Sequence, residues 1–93
     1  MEKELEKTVL DFLLPLRMGK GLDADKYSAM CDVLGSLKAR LSDEDSIPKS
    51  WAVWLVDTVP HMEGCAYLYP EHEAEKIFDK AQETLELIYD VLT

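Results

Sequence analysis

Apolar residues recur three and four positions apart through every long stretch of this chain, and only a few proline-, glycine- or acid-rich points break the rhythm. That periodicity is the signature of helices with one buried face. Leu5, Val9, Phe12 and Leu13, with Leu16 just beyond, share one face of a helix predicted over about residues 2–14. Pro15 either ends or kinks it, because proline lacks the N–H and crowds the preceding turn. Gly19 and Gly21 then mark a loop. Tyr27, Met30, Cys31, Leu34, Leu37 and Leu41 line a second helix over about 24–41, with Asp23 as its N-cap and the polar run Ser42–Ser46 after it. A third helix begins near Pro48, with Trp51, Trp54, Leu55 and Val59 on one face, and Pro60 interrupts it. The stretch from His61 to Tyr69 reads either as a short helix or as an irregular buried loop.

The fourth segment carries the strongest pattern. Pro70 suits a first turn, and Glu71 and Glu73 favour the positive end of the helix dipole. Ala74, Ile77, Phe78, Ala81, Leu85, Ile88, Tyr89 and Leu92 form a long apolar stripe, which Leu87 and Val91 widen toward the C-terminus. β-branched residues never form an alternating run. The expected fold is therefore all-α, a single-domain bundle of about four helices with short loops spanning residues 1–93.

Charge narrows the function classes. The chain has a formal net charge of −9, from 19 acids against 10 bases. Residues 1–22 are neutral overall, residues 23–45 carry −3 and residues 46–93 carry −6. An acidic surface argues against direct nucleic-acid binding, which needs Lys and Arg on phosphates, and against docking to an anionic membrane. No apolar run approaches the roughly 20 residues that span a bilayer. The mixed-charge start MEKELEK does not read as a signal peptide, and two cysteines, Cys31 and Cys65, do not make a disulfide framework. The expected compartment is the cytoplasm.

The acids of the last helix fall in a stripe. Glu75, Asp79, Glu86 and Asp90, with Glu83 beside them, lie within about 60–80° of one another on a helix wheel. Like charges four apart repel by roughly 0.2–0.5 kcal/mol per pair, so local helix stability does not favour the arrangement. Lys76 and Lys80 flank its N-terminal part, whereas Glu86 and Asp90 have no base within one turn of their own helix. The stripe reads either as solvated surface or as a surface for a basic partner.

Catalytic and metal chemistry finds little footing. His61, Cys65 and His72, with Glu63 nearby, are the only loose donor set, and no C-x₂-C or H-E-x-x-H spacing supports a metal. Gly19-Lys20-Gly21 is too short for a phosphate-binding loop. No metal, cofactor or catalytic residue is expected, and the chain is not expected to be an enzyme. Trp51 and Trp54 face the same way, as core or as interface anchors. Tyr67 and Tyr69, next to the acidic helix, suit recognition of a basic protein.

The run Cys65-Ala66-Tyr67-Leu68-Tyr69-Pro70 and the following acid-rich helix ending Leu85-Glu86-Leu87-Ile88-Tyr89-Asp90-Val91-Leu92 resemble the C-terminal half of colicin D-type immunity proteins. In size and charge the chain is also similar to some contact-dependent growth-inhibition immunity proteins. The likeness is confined to this stretch, and the acidic cluster those families carry between the Tyr-Pro element and the last helix is thin here. The resemblance implies an inhibitor that binds a basic toxin nuclease and covers its active site. The expected protein-binding residues are Glu75, Asp79, Glu83, Glu86, Asp90, Tyr67 and Tyr69. Two other readings stand beside it: a module that self-associates as a homo-oligomer through the apolar face around Leu87 and Val91, and a viral inhibitor that mimics nucleic acid.

Overall fold

The computed structural model describes residues 2–93. Four helices make up the architecture: α1 (Glu2–Arg17), α2 (Ala24–Leu41), α3 (Lys49–Ala66) and α4 (Glu71–Leu92), with no strand among the described residues. The expected all-α bundle is what the chain forms. Asp23 caps α2 as expected, its carboxylate accepting from the Asp25 and Lys26 amides at 3.0 and 3.1 Å.

Two prolines do less than the sequence reading assigns them. α1 continues through Pro15 to Arg17, and α3 continues through Pro60 to Ala66, so Pro60 does not interrupt it and residues 61–66 are helical. Each proline removes one hydrogen bond from its helix. Burial beyond the proline compensates: Leu16 is fully buried after Pro15, and Met62, Cys65 and Ala66 are buried after Pro60. Pro60 itself lies on the exposed side of α3, as does Val56, whose carbonyl loses the bond, so water can satisfy that carbonyl.

The helices pack in a ring in which α1 touches α2 and α3, and α4 touches α2 and α3, leaving α1/α4 and α2/α3 as diagonals. Two helical hairpins, α1–α2 and α3–α4, are thus stacked on one another. Tyr27 of α2 meets Lys80 and Glu83 of α4, and Lys38 of α2 meets Asp90, so α2 and α4 run parallel. The connection 42–48 therefore crosses the end of the bundle diagonally, with Ile47 packed under it against the core.

The core is built from Leu5, Val9, Phe12, Leu13 and Leu16 of α1, the full set expected from spacing, with Tyr27, Met30, Leu34 and Leu37 of α2. Val33 joins them, while Cys31 and Leu41 are only partly buried. From α3 come Leu55, Val59, Met62, Cys65 and Ala66, and from α4 Ile77, Ala81, Thr84, Ile88 and Val91. Each fully buried large aliphatic side chain contributes roughly 1.5–3 kcal/mol from water exclusion. Trp51 and Trp54 are half-buried against this core, on the side of α3 away from α4.

The buried positions of α4 differ from the expected stripe. They alternate four and three apart through Thr84, whereas Phe78, Tyr89 and Leu92, expected in the core, are exposed. Thr84 fits because its hydroxyl donates to the Lys80 carbonyl at 2.8 Å, leaving only its methyl to pack. Val91 is buried and Leu87 is partly covered, so the face around them is not the open surface that self-association through it requires.

Candidate functional site: the outer face of α4 and its two edges

All five acids of the stripe, Glu75, Asp79, Glu83, Glu86 and Asp90, are exposed on α4. On a 100° wheel centred on Ile77 they occupy an arc of about 80° opposite the core. They extend about 22 Å along the helix, from the rise per residue between Glu75 and Asp90. The two edges of this arc differ.

The edge facing α2 is closed. The Tyr27 side chain is buried with its ring 5.6 Å from that of Phe12, and its hydroxyl lies 3.3 Å from both the Lys80 carbonyl and Glu83 Oε1. One phenol proton is thus shared between two acceptors. Lys80 Nζ sits 5.1 Å from the centre of the Tyr27 ring and 3.3 Å from Glu83 Oε2. Burial pushes the Tyr27 phenol well above its ordinary value, and burial also raises the neighbouring Cys31 thiol. Lys38 Nζ reaches Asp90 Oδ2 at 4.0 Å, so Asp90 has a base after all, supplied by α2. That pair is exposed and at the limit of ion-pair range, a geometry worth little in water. Glu75, Asp79 and Glu86 form no ion pair among the described residues.

The same edge holds an open groove of about 430 Å³ between the α1–α2 turn and α4. Asp79, Glu83, Lys76 and Lys80 line it above a floor that includes Leu22 and Ile77. Tyr69 closes one end. Its hydroxyl donates to the Leu16 carbonyl at 2.6 Å and accepts from the Gly21 amide at 2.9 Å, tying the α3–α4 turn to the α1–α2 turn. Gly19 and Gly21 have φ of 77° and 94° there, a backbone that residues with a Cβ rarely adopt. Tyr69 therefore serves the fold, and Tyr67, 84% exposed, does not share that role.

The edge facing α3 is open and apolar. Lys80, Glu83 and Asp90 mark the α2 side of α4, so the opposite side of its wheel faces α3; there Phe78, Leu85, Tyr89 and Leu92 fall within about 60°. On α3, Trp54 and His61 line a groove with α1, so Val56, Pro60 and Tyr67, within about 40° on the other side, face α4, with Val53 just outside them. The ring contact between Tyr67 and Phe78, 6.2 Å between centroids and edge-to-face, confirms this assignment at one end. Val53, Val56, Tyr67, Phe78, Tyr89 and Leu92 are all exposed, and they make up most of the large apolar side chains that meet water in the described residues. Of these only Tyr67 was expected as a binding residue. The signal for the rest was the excess of apolar letters on α3 and α4 over what a core-facing arc holds.

The loose donor set does not assemble. His61 and Cys65 border one shallow pocket, His72 lies exposed in the first turn of α4, and no group of three His, Cys, Asp or Glu side chains gathers as a metal site among the described residues. Cys31 and Cys65 are both free. Burial pushes the Cys65 thiol up as well, so both cysteines stay protonated at neutral pH, when thiols are poor nucleophiles. No helix among the described residues is long and apolar enough to cross a membrane.

Comparisons with protein-family models, with curated proteins and with solved structures find no match to this chain.

Proposed function

We propose that this chain is a non-enzymatic inhibitor that binds a basic protein, of the immunity type that neutralises a nuclease toxin by covering its active site or substrate surface. One observation carries the reading: the acidic stripe of α4 runs alongside an exposed apolar ridge over the α3–α4 seam. The two parts have different work. Unpaired acids raise the encounter rate with a basic surface, an effect that salt weakens. Exposed aromatics and aliphatics supply the desolvated anchors on which interface affinity rests. Glu75, Asp79, Glu86 and Asp90 are the steering acids, and Tyr67, Phe78 and Tyr89 the anchors. Glu83 and Tyr69, already engaged within the bundle, contribute least. The reading places the protein in the reducing cytoplasm with both thiols free.

The test is capture of a basic RNase-type toxin domain by the purified protein at about 50 and 500 mM salt, ionic strengths at which screening lengths differ severalfold. Binding that weakens with salt, and drops further in the double charge reversal E86K/D90K, supports the proposal. Binding unchanged by that reversal removes the stripe from the interface.

The exposed ridge also favours a second reading, self-association. Its site is then the α3–α4 seam and not the region of Leu87 and Val91. Sedimentation over a hundredfold range of concentration separates the two, since a monomer throughout excludes a stable homo-oligomer.

A further inference from the structure

We infer that the occupant of the α3–α4 seam is a single amphipathic helix of the partner, apolar on one face and basic along one edge. The inference rests on the proposed function and specifies what part of the basic partner it grips. Two packed antiparallel helices leave a shallow groove along their seam, and a third helix is the element whose width and straightness fit such a groove. This groove is apolar where Val56 and Tyr67 of α3 face Phe78 and Tyr89 of α4.

Its two rims differ in charge. The α4 rim carries Glu75, Asp79, Glu86 and Asp90, spaced four, seven and four apart. The outer surface of α3 next to Val53 and Pro60 carries Gly64 and few charges. A helix lying in the groove therefore meets acids on one side only. Complementarity calls for Lys or Arg at matching intervals on one edge, beside apolar residues at i, i+3, i+4 and i+7. The acidic stripe is about 22 Å long, which matches roughly 15 helical residues. A second copy of this chain is the poorer occupant, because it brings a further net charge of −9 to an already acidic rim.

A displayed library of helical peptides about 18 residues long, randomised at apolar, basic and acidic positions, tests the inference directly. Expected is enrichment of sequences with an apolar i, i+3, i+4, i+7 face and a basic edge, bound with amide protection on α3 and α4. A synthetic peptide from that pool should bind at least about tenfold more weakly to Y89S, and about tenfold more weakly to E86K/D90K at low salt, which is the size of loss that removal of one good contact or charge pair gives. Both substitutions are at exposed positions, and circular dichroism confirms that the variants fold. Absence of enriched binders, binders without helical periodicity, or protection outside α3 and α4 overturns the inference. A toxin domain that still binds in a salt-dependent way then leaves the proposed function standing. Helical peptides that bind the seam with no loss in E86K/D90K overturn the charge assignment on which both depend.

Discussion

The two edges of α4 are built from the same helix and serve opposite ends. Toward α2, polar and aromatic groups are consumed by the fold: Tyr27 is buried, its hydroxyl reaches Lys80 and Glu83, and Lys80 lies against its ring. Toward α3, Phe78, Tyr89 and Leu92 stand beside Val53, Val56 and Tyr67 with much of their surface in water. The difference teaches which residues hold the bundle and which are left for something else. Water exclusion favours covering an apolar edge, and here the edge that is covered is the one with partners for every polar group.

The sharpest break of this comparison is Tyr27→Ala. It removes a buried ring, its contact with Phe12 and the inter-helix hydrogen bonds together, and should cost about 3–5 kcal/mol in denaturant unfolding, in the range for large aromatic truncations. A loss below about 1 kcal/mol would show that the α2 edge is not what secures α4. Tyr69→Phe probes the staple between the two hairpins. It removes only the hydroxyl that links Leu16 and Gly21, so about 1–2 kcal/mol is expected, with faster amide exchange confined to the two turns.

The closed edge is also sensitive to alkali. The ordinary thiol value is 9.0, and burial raises Cys31 and Cys65 above it in the folded state, as it raises Tyr27 above its ordinary 10.0. The unfolded chain thus releases these protons first. Stability from keeping them neutral is fully present below the ordinary thiol value and is lost as pH rises through it toward the folded values. Thermal melts should hold steady near pH 7 and fall above about pH 9, and Cys31→Ala should blunt that fall. A melting temperature that does not decline in alkali would contradict the burial of these groups.

The smallest effect on stability belongs to the open edge. Val56→Ser and Tyr89→Ser remove apolar surface that already meets water, so each should change unfolding free energy by no more than about 0.5 kcal/mol. Their effect should appear instead in partner binding, measured by titration calorimetry. If either substitution destabilises the protein as strongly as Tyr69→Phe, the two edges are not the distinct surfaces their exposure indicates.

Much of the fold is legible in the residues. Leu5, Val9, Phe12, Leu13 and Leu16 all turn inward, and Asp23 caps α2, because these depend on spacing and on one local hydrogen bond. Pro15 and Pro60 are misread because the loss of one hydrogen bond is a local quantity, while burial of Leu16 and Met62 beyond them is not. Of the candidate site, the acidic stripe is legible and its exposure follows from the helix wheel. The fate of Glu83 and Tyr69 is not, since their partners Tyr27, Leu16 and Gly21 are about 50 residues away in sequence.

α4 shows where the division falls. Its sequence alone determines that residues 71–92 are helical and that acids occupy the arc opposite the core. Its apolar letters, from Leu87 round to Tyr89, cover about 200° of the wheel, more than two neighbouring helices bury. Periodicity therefore cannot say which end of that arc stays wet. Only the stacking of the hairpins decides it, by setting α2 against Lys80 and Glu83 and leaving Phe78, Tyr89 and Leu92 at the α3 seam. Local spacing specifies a helix and an average inward direction, but the rotation of α4 about its axis minimises exposed surface over the whole bundle, a sum that includes residues from every helix.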